Sequence, residues 1–146
     1  MPRIERTAEI VWEGNVARGQ GHLSGLSGAF TGLPFSLPSR IGAPNGKTSP
    51  EELLAAAHGG CLTMSIASEL TQAGTPPTRL DTTCLIVMDE LEGEGHQIVA
   101  SSVTVAVDAD GADDAAIAAA LERADAGCPF STLLRKAGVA VSISRA

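Results

Sequence analysis

The run from Thr48 to Gly74, TSPEELLAAAHGGCLTMSIASELTQAG, constrains the fold more than any other stretch: it has a marked start and stop and is apolar nearly all round between them. Hydroxyls at Thr48 and Ser49, Pro50 at the first helical position and the carboxylates of Glu51 and Glu52 at the positive end of the dipole make a helix start. Leu53, Leu54, Ala57, Cys61, Met64, Ile66, Ala67 and Leu70 follow, and Gly74 ends the run. A helix that is hydrophobic on every side is buried on every side. In a chain of 146 residues it is expected to be central, wrapped by sheet, and easier to bury across a dimer than within one chain.

The flanking segments read mainly as strands. Thr7 to Trp12 reads as a strand ended by Glu13-Gly14-Asn15, with Val16 to Ser24 returning as its hairpin partner. Pro34 to Arg40 reads as a short edge strand, since prolines exclude it from the middle of a sheet, and Gly42 to Ser49 as a loop. Leu80 to Leu91 and Ile98 to Val107 form two long strands joined by an acidic, glycine-rich turn, the second with Val103, Val105 and Val107 at period two. Asp113 to Ala126 is a second helix, Cys128-Pro129 opens a short third one ending at Gly138, and Val139, Val141 and Ile143 close with a strand. This order of strands, helix, strands, helices and strand indicates an α+β fold in one domain, residues 1–146.

Composition excludes several function classes. With 10 basic against 17 acidic residues and a net charge of −7, the chain has no basic stripe for nucleic acid or anionic membrane. No apolar run reaches membrane-spanning length, and the N-terminus MPRIERTAEIVWEG lacks the apolar region of a signal peptide. A cytoplasmic protein is expected. An odd number of cysteines, 3, suits a reducing compartment in which any working disulfide is transient.

Two of those cysteines carry the chemistry. Cys61 sits mid-helix, where burial alone would raise its pKa and leave it a poor nucleophile. It needs an imported cation or donor, and Arg40, just ahead of the helix-leading loop, is the candidate, with Glu51 as its counter-ion. Ten residues of straight helix put Glu51 about 15 Å from Cys61 and roughly 80° around the axis. Either the helix bends at Gly59-Gly60, or Glu51 serves the site of a neighbouring subunit, and the second is preferred. Cys128 stands at a helix N-cap before Pro129, where the dipole is expected to lower its pKa. It can condense with an oxidised Cys61 to a disulfide. Cys84, in DTTCLIV, reads as core filler. Taken singly, a free cysteine is more often structural than reactive. His58, without CxxC or HExxH beside it, reads as a packed, hydrogen-bonded histidine rather than a metal ligand.

TSPEELLAAAHGGC, followed by the Cys128 of AGCPFS, resembles the OsmC/Ohr family of thiol-dependent peroxidases, and WEGNVARGQG resembles its OsmC branch. The resemblance implies an OsmC-like fold, antiparallel sheets around a long central helix in an intertwined homodimer with active sites at the subunit interface. It implies reduction of hydroperoxides, organic ones preferentially, in oxidative stress defence, with an external dithiol as reductant and no metal, flavin or haem. By position in the motif, Cys61 is the peroxidatic thiol, Cys128 the resolving thiol and Glu51 the acid that holds the catalytic arginine. Arg40 has the OsmC-like placement for that arginine, and Arg18 the Ohr-like one. The chain departs from the family at Gly59-Gly60 and Phe130, which bear on the substrate pocket. Two other readings stand beside this one: a non-catalytic dimeric module that takes an apolar ligand in the interface cleft, and a zinc or structural thiol protein using Cys61, His58 and Cys128.

Overall fold

The computed structural model describes residues 2–146, in two compact units: the first runs to Pro50 and the second is Glu51–Ala146. The first unit is an antiparallel meander of β1 (Ala8–Glu13), β2 (Gln20–Gly25) and β3 (Leu33–Phe35), paired in that order. Trp12 pairs with Gly21, and Gly21 with Phe35. A Cβ at Gly21 would run into both aromatic rings, whose centroids lie 5.6 Å apart. Glycine there is what lets the two rings meet across the sheet. The return strand starts later than its sequence suggests. Asn15 accepts a hydrogen bond from the Arg18 amide at 2.9 Å, a side-chain closure typical of asparagine in turns.

Arg40 does not end a strand. After three residues of β3 the chain enters a short helix, α1 (Leu37–Ile41), capped by Ser36, whose side chain accepts from the Ser39 amide. Pro38 sits in the first turn, where its missing N–H costs nothing. Pro34 does lie in an edge strand, the short β3, whereas Pro38 belongs to the start of α1. Residues 42–49 are irregular, as expected.

α2 (Pro50–Gln72) leads into the second unit and runs unbroken as a helix through Gly59-Gly60. The hairpin β4 (Arg79–Leu91) and β5 (Gly95–Asp108) follows, turning on Gly93 and Gly95, both at positive φ. Then come α3 (Asp114–Gly127), α4 (Pro129–Lys136) and β6 (Ala140–Arg145). Asp113 caps α3 by accepting from the Ala116 amide at 2.8 Å. β6 adds to β5 in parallel, so this sheet is mixed rather than wholly antiparallel. The cause is topological: a strand reached through α3 and α4 returns by a crossover, which is the connection parallel pairing requires.

The core of this unit lies between α2, β5 and α3. Leu62, Ile66 and Leu70 recur every four residues on α2 and pack with Val103 and Val105 of β5 and with Ile117, Ala120, Leu121 and Ala124 of α3. The period-two pattern of β5 thus points inward as its sequence suggested, and Ser101 takes the next inward place, fully buried. Burial of α2 differs from its reading. Among the described residues of α2, His58, Gly59, Leu62, Ile66 and Leu70 are buried, whereas Met64 on another face is 76% exposed. Among the described residues no helix is long and apolar enough to cross a membrane.

Candidate active site

Cys61 and Cys128 meet. Their sulfurs are 3.6 Å apart, and both thiols are free. Cys61 is half-buried in the fourth turn of α2, while Cys128 is fully buried at the junction where α3 ends and α4 begins. The junction follows from the sequence: Gly127 ends α3, and Pro129 has the φ of a first helical residue and no N–H to leave unpaired. The next amide, that of Phe130, has no partner within α4.

Cys128 is the N-cap residue of α4 and makes no side-chain cap bond. Burial pushes the Cys61 thiol above its ordinary value. The neighbouring Cys128 sulfur adds to the rise, since two thiolates so close repel, and the Phe130 N–H acts the other way. The net direction is upward, as the sequence suggested for a buried mid-helix cysteine.

One turn before Cys61, His58 is fully buried with both ring nitrogens bonded: Nδ1 to Ser101 Oγ at 2.6 Å and Nε2 to Ser131 Oγ at 2.8 Å. This is the packed, hydrogen-bonded histidine expected. Burial lowers its pKa; the Asp125 charge works against that, and the Arg135 charge works with it. Arg135 grips the Asp125 carboxylate with two hydrogen bonds, at 3.0 and 2.6 Å. At Asp125, burial favours the neutral acid, but the hydrogen bonds and charge of Arg135 outweigh it and the net direction is downward. Sequence reasoning missed Ser101, Ser131 and Asp125 as neighbours of the site, and none of them carried a signal in the sequence.

Cys84 is more than filler. It is half-buried, with its sulfur 3.5 Å from Ser101 Oγ and 4.0 Å from His58 Nδ1. It lines a cleft of about 700 Å³ between α2 and β4, with Glu52, Gly59, Gly60, Thr63 and Thr82 among its neighbours. Gly59 does not open space beside Cys61: a Cβ there would lie 3.1 Å from the Cys84 Cβ. Among the described residues no group of three His, Cys, Asp or Glu side chains is placed to hold a metal ion. Of the other residues singled out, Glu51 lies in the first turn of α2. Arg40 is on α1 in the first unit, where it lines a cavity of about 220 Å³ with Trp12, Val16, Phe35, Ser36 and Leu37. Arg18 follows β1 in the turn before β2.

An α+β chain that brings two free thiols together from a long helix and the head of a short one has the architecture of a known class, and its solved neighbours agree. An organic hydroperoxide resistance protein OsmC from Legionella pneumophila superposes with a TM-score of 0.74 at 21% identity, covering 99% of each chain. The organic hydroperoxide resistance protein OhrB of Bacillus subtilis superposes with a TM-score of 0.71 at 21% identity, over 96% of this chain and 98% of that one. These show an OsmC/Ohr fold. Residues 43–144 match the family described as OsmC-like protein. The peroxiredoxin OsmC of Escherichia coli is 33% identical over 132 residues, 90% of this chain and 91% of that one. The chain belongs to the OsmC family.

Proposed function

We propose that the protein is a cysteine-based peroxidase that reduces hydroperoxides, organic ones in preference to hydrogen peroxide, through a Cys61 sulfenate and a Cys61–Cys128 disulfide. The observation that carries this reading is the pair of free sulfurs 3.6 Å apart. Relatives named peroxiredoxin OsmC and organic hydroperoxide resistance protein support it.

In the first step the Cys61 thiolate attacks the distal peroxide oxygen. The O–O bond breaks, and the alkoxide takes a proton and leaves as the alcohol. Cys61 is left as a sulfenic acid. The Cys128 thiol then attacks that sulfur; an S–S bond forms, and the hydroxyl departs with the thiol proton as water. An external dithiol reduces the disulfide by exchange and is itself oxidised. Arg40 is assigned the charge that stabilises the thiolate and the leaving alkoxide, with Glu51 holding it. We assign the working form as a homodimer in the cytoplasm. The outward Met64 on α2 and Leu85 on β4, 76% and 58% exposed, are surfaces that a second copy would cover.

The test is a thiol count with intact mass, before and after one equivalent of cumene hydroperoxide or of hydrogen peroxide. The expected result is loss of two thiols and two protons per chain, faster with cumene hydroperoxide. Cys61→Ser should abolish turnover, and Cys128→Ser should accumulate over-oxidised Cys61. Turnover retained in Cys61→Ser would sink the reading. An unchanged thiol titre would favour a non-catalytic binding module.

A further inference from the structure

His58 takes no part in the thiol chemistry, yet the two helices that carry the cysteines touch at two places one turn apart, and His58 makes one of them. Three residues separate His58 from Cys61 on α2, which puts both on one helix face. Three residues likewise separate Cys128 from Ser131 on the head of α4. Cys61 meets Cys128 at 3.6 Å, and His58 Nε2 meets Ser131 Oγ at 2.8 Å.

The second contact belongs to a buried chain of contacts. Burial keeps the ring neutral, and a neutral imidazole has one N–H, so one ring nitrogen donates to its serine and the other accepts. Nδ1 lies 2.6 Å from Ser101 Oγ and Nε2 lies 2.8 Å from Ser131 Oγ. Ser101 Oγ is also 3.5 Å from the Cys84 sulfur. The contacts link Cys84, Ser101, His58 and Ser131, and Arg135 of α4 holds Asp125 of α3 with two further bonds. Among the described residues no buried side-chain nitrogen or oxygen lacks a hydrogen-bond partner, so the network has no slack.

We propose that His58 is a positioning residue for the thiol pair: by holding Ser131 through Nε2 it fixes the first turn of α4, and with it the Cys128 sulfur, against Cys61. A disulfide requires the sulfurs to close from 3.6 Å to about 2.05 Å. While the Cys61 contacts are being remade, the His58–Ser131 bond one turn away stays formed. The closure is then taken up by the two cysteine side chains, and α4 does not drift. The inference rests on Cys61 and Cys128 being the redox couple, but not on the identity of the oxidant.

The test is the equilibrium between thiol pair and disulfide in glutathione buffers, where two thiols and oxidised glutathione give the disulfide and two reduced glutathiones. Loss of positioning should lower this constant in Ser131→Ala and His58→Ala by about tenfold, the size of one lost hydrogen bond. His58→Gln, whose amide can reach Ser131, should recover most of that loss. Leu70→Ala, which opens the same core at the far end of α2, controls for loosening of the fold and should leave the constant unchanged. With cumene hydroperoxide, Ser131→Ala should also raise the fraction of Cys61 trapped as sulfinic acid. A constant in Ser131→Ala equal to that of the parent, or an equal fall in Leu70→Ala, would overturn the proposal. Normal closure in glutathione with no peroxide turnover would instead refute the peroxidase reading and leave His58 in its role.

Discussion

Oxidation of the thiol pair should stabilise the protein, by an amount that follows from its place in the chain. Cys61 and Cys128 are 67 residues apart, so the disulfide closes a long loop in the unfolded state. The chain-entropy relation gives about 14.7 cal/mol/K for a loop of this length, or about 4.4 kcal/mol at 25 °C. Strain in the folded state subtracts from this, and it is small if the sulfurs close by side-chain adjustment alone. We therefore expect a net gain of about 2–4 kcal/mol. With a urea slope of roughly 2 kcal/mol/M, the midpoint should rise by about 1–2 M.

The assay is urea denaturation at one fixed protein concentration, with the protein either reduced or oxidised by one equivalent of hydroperoxide and checked for the loss of two protons. Cys128→Ser treated in the same way should show no gain. A fall in midpoint on oxidation would mean that the thiols reach bonding distance only by distorting α4, which would refute the view that the fold holds them ready. A gain of equal size in Cys128→Ser would show that the stabilisation has another source.

Acid should destabilise the reduced protein. The fold prefers neutral His58 and ionised Asp125, whose pKa values are both lowered. The His58 contribution is complete above about 6.5 and is lost as pH falls through the folded value, with a slope of up to about 1.4 kcal/mol per pH unit. Urea midpoints measured from pH 7.5 to 5 should fall, and His58→Gln should flatten the curve below 6.5; a flat curve in the parent would contradict the buried neutral imidazole. Gly60→Ala should stabilise by about 1 kcal/mol, the helix-propensity difference, because a Cβ there meets nothing within 4 Å. Gly59→Ala should be worse than Gly60→Ala by roughly 1–3 kcal/mol, since its Cβ presses on Cys84; equal urea midpoints for the two would show that β4 yields freely.

The limits of α2 were legible because its caps are local chemistry, and the inward face of β5 because alternation fixes which side chains share a side. Direction was not: period two says which face β6 presents and nothing about whether it runs parallel to β5. Arg40 was misplaced for a related reason. Pro34 and Pro38 fit an edge strand on φ alone, and the Ser36 cap that starts α1 is a three-dimensional preference among a few residues. The all-round apolar pattern of α2 marked it for burial but could not say against what. The chain itself covers the stripe through Leu62, Ile66 and Leu70 and leaves Met64 outside.

The thiol pair shows most plainly what spacing cannot express. Both cysteines had a local reading, one disfavoured by its helix and one favoured by a helix terminus, and neither reading says that the two sulfurs meet at 3.6 Å. The Phe130 N–H favours the Cys61 thiolate but does not outweigh burial. An ordinary thiol with a pKa near 8.5 is only about 3% ionised at pH 7, and Cys61 lies on the unfavourable side of that value. Reactivity at neutral pH therefore demands positive charge beyond the Phe130 amide, as the sequence already required of Arg40. The rate at which Cys61 alkylates as pH rises measures that demand directly. If Arg40 supplies the charge, Arg40→Met should move the midpoint of that profile upward, and an unmoved midpoint would assign the charge elsewhere.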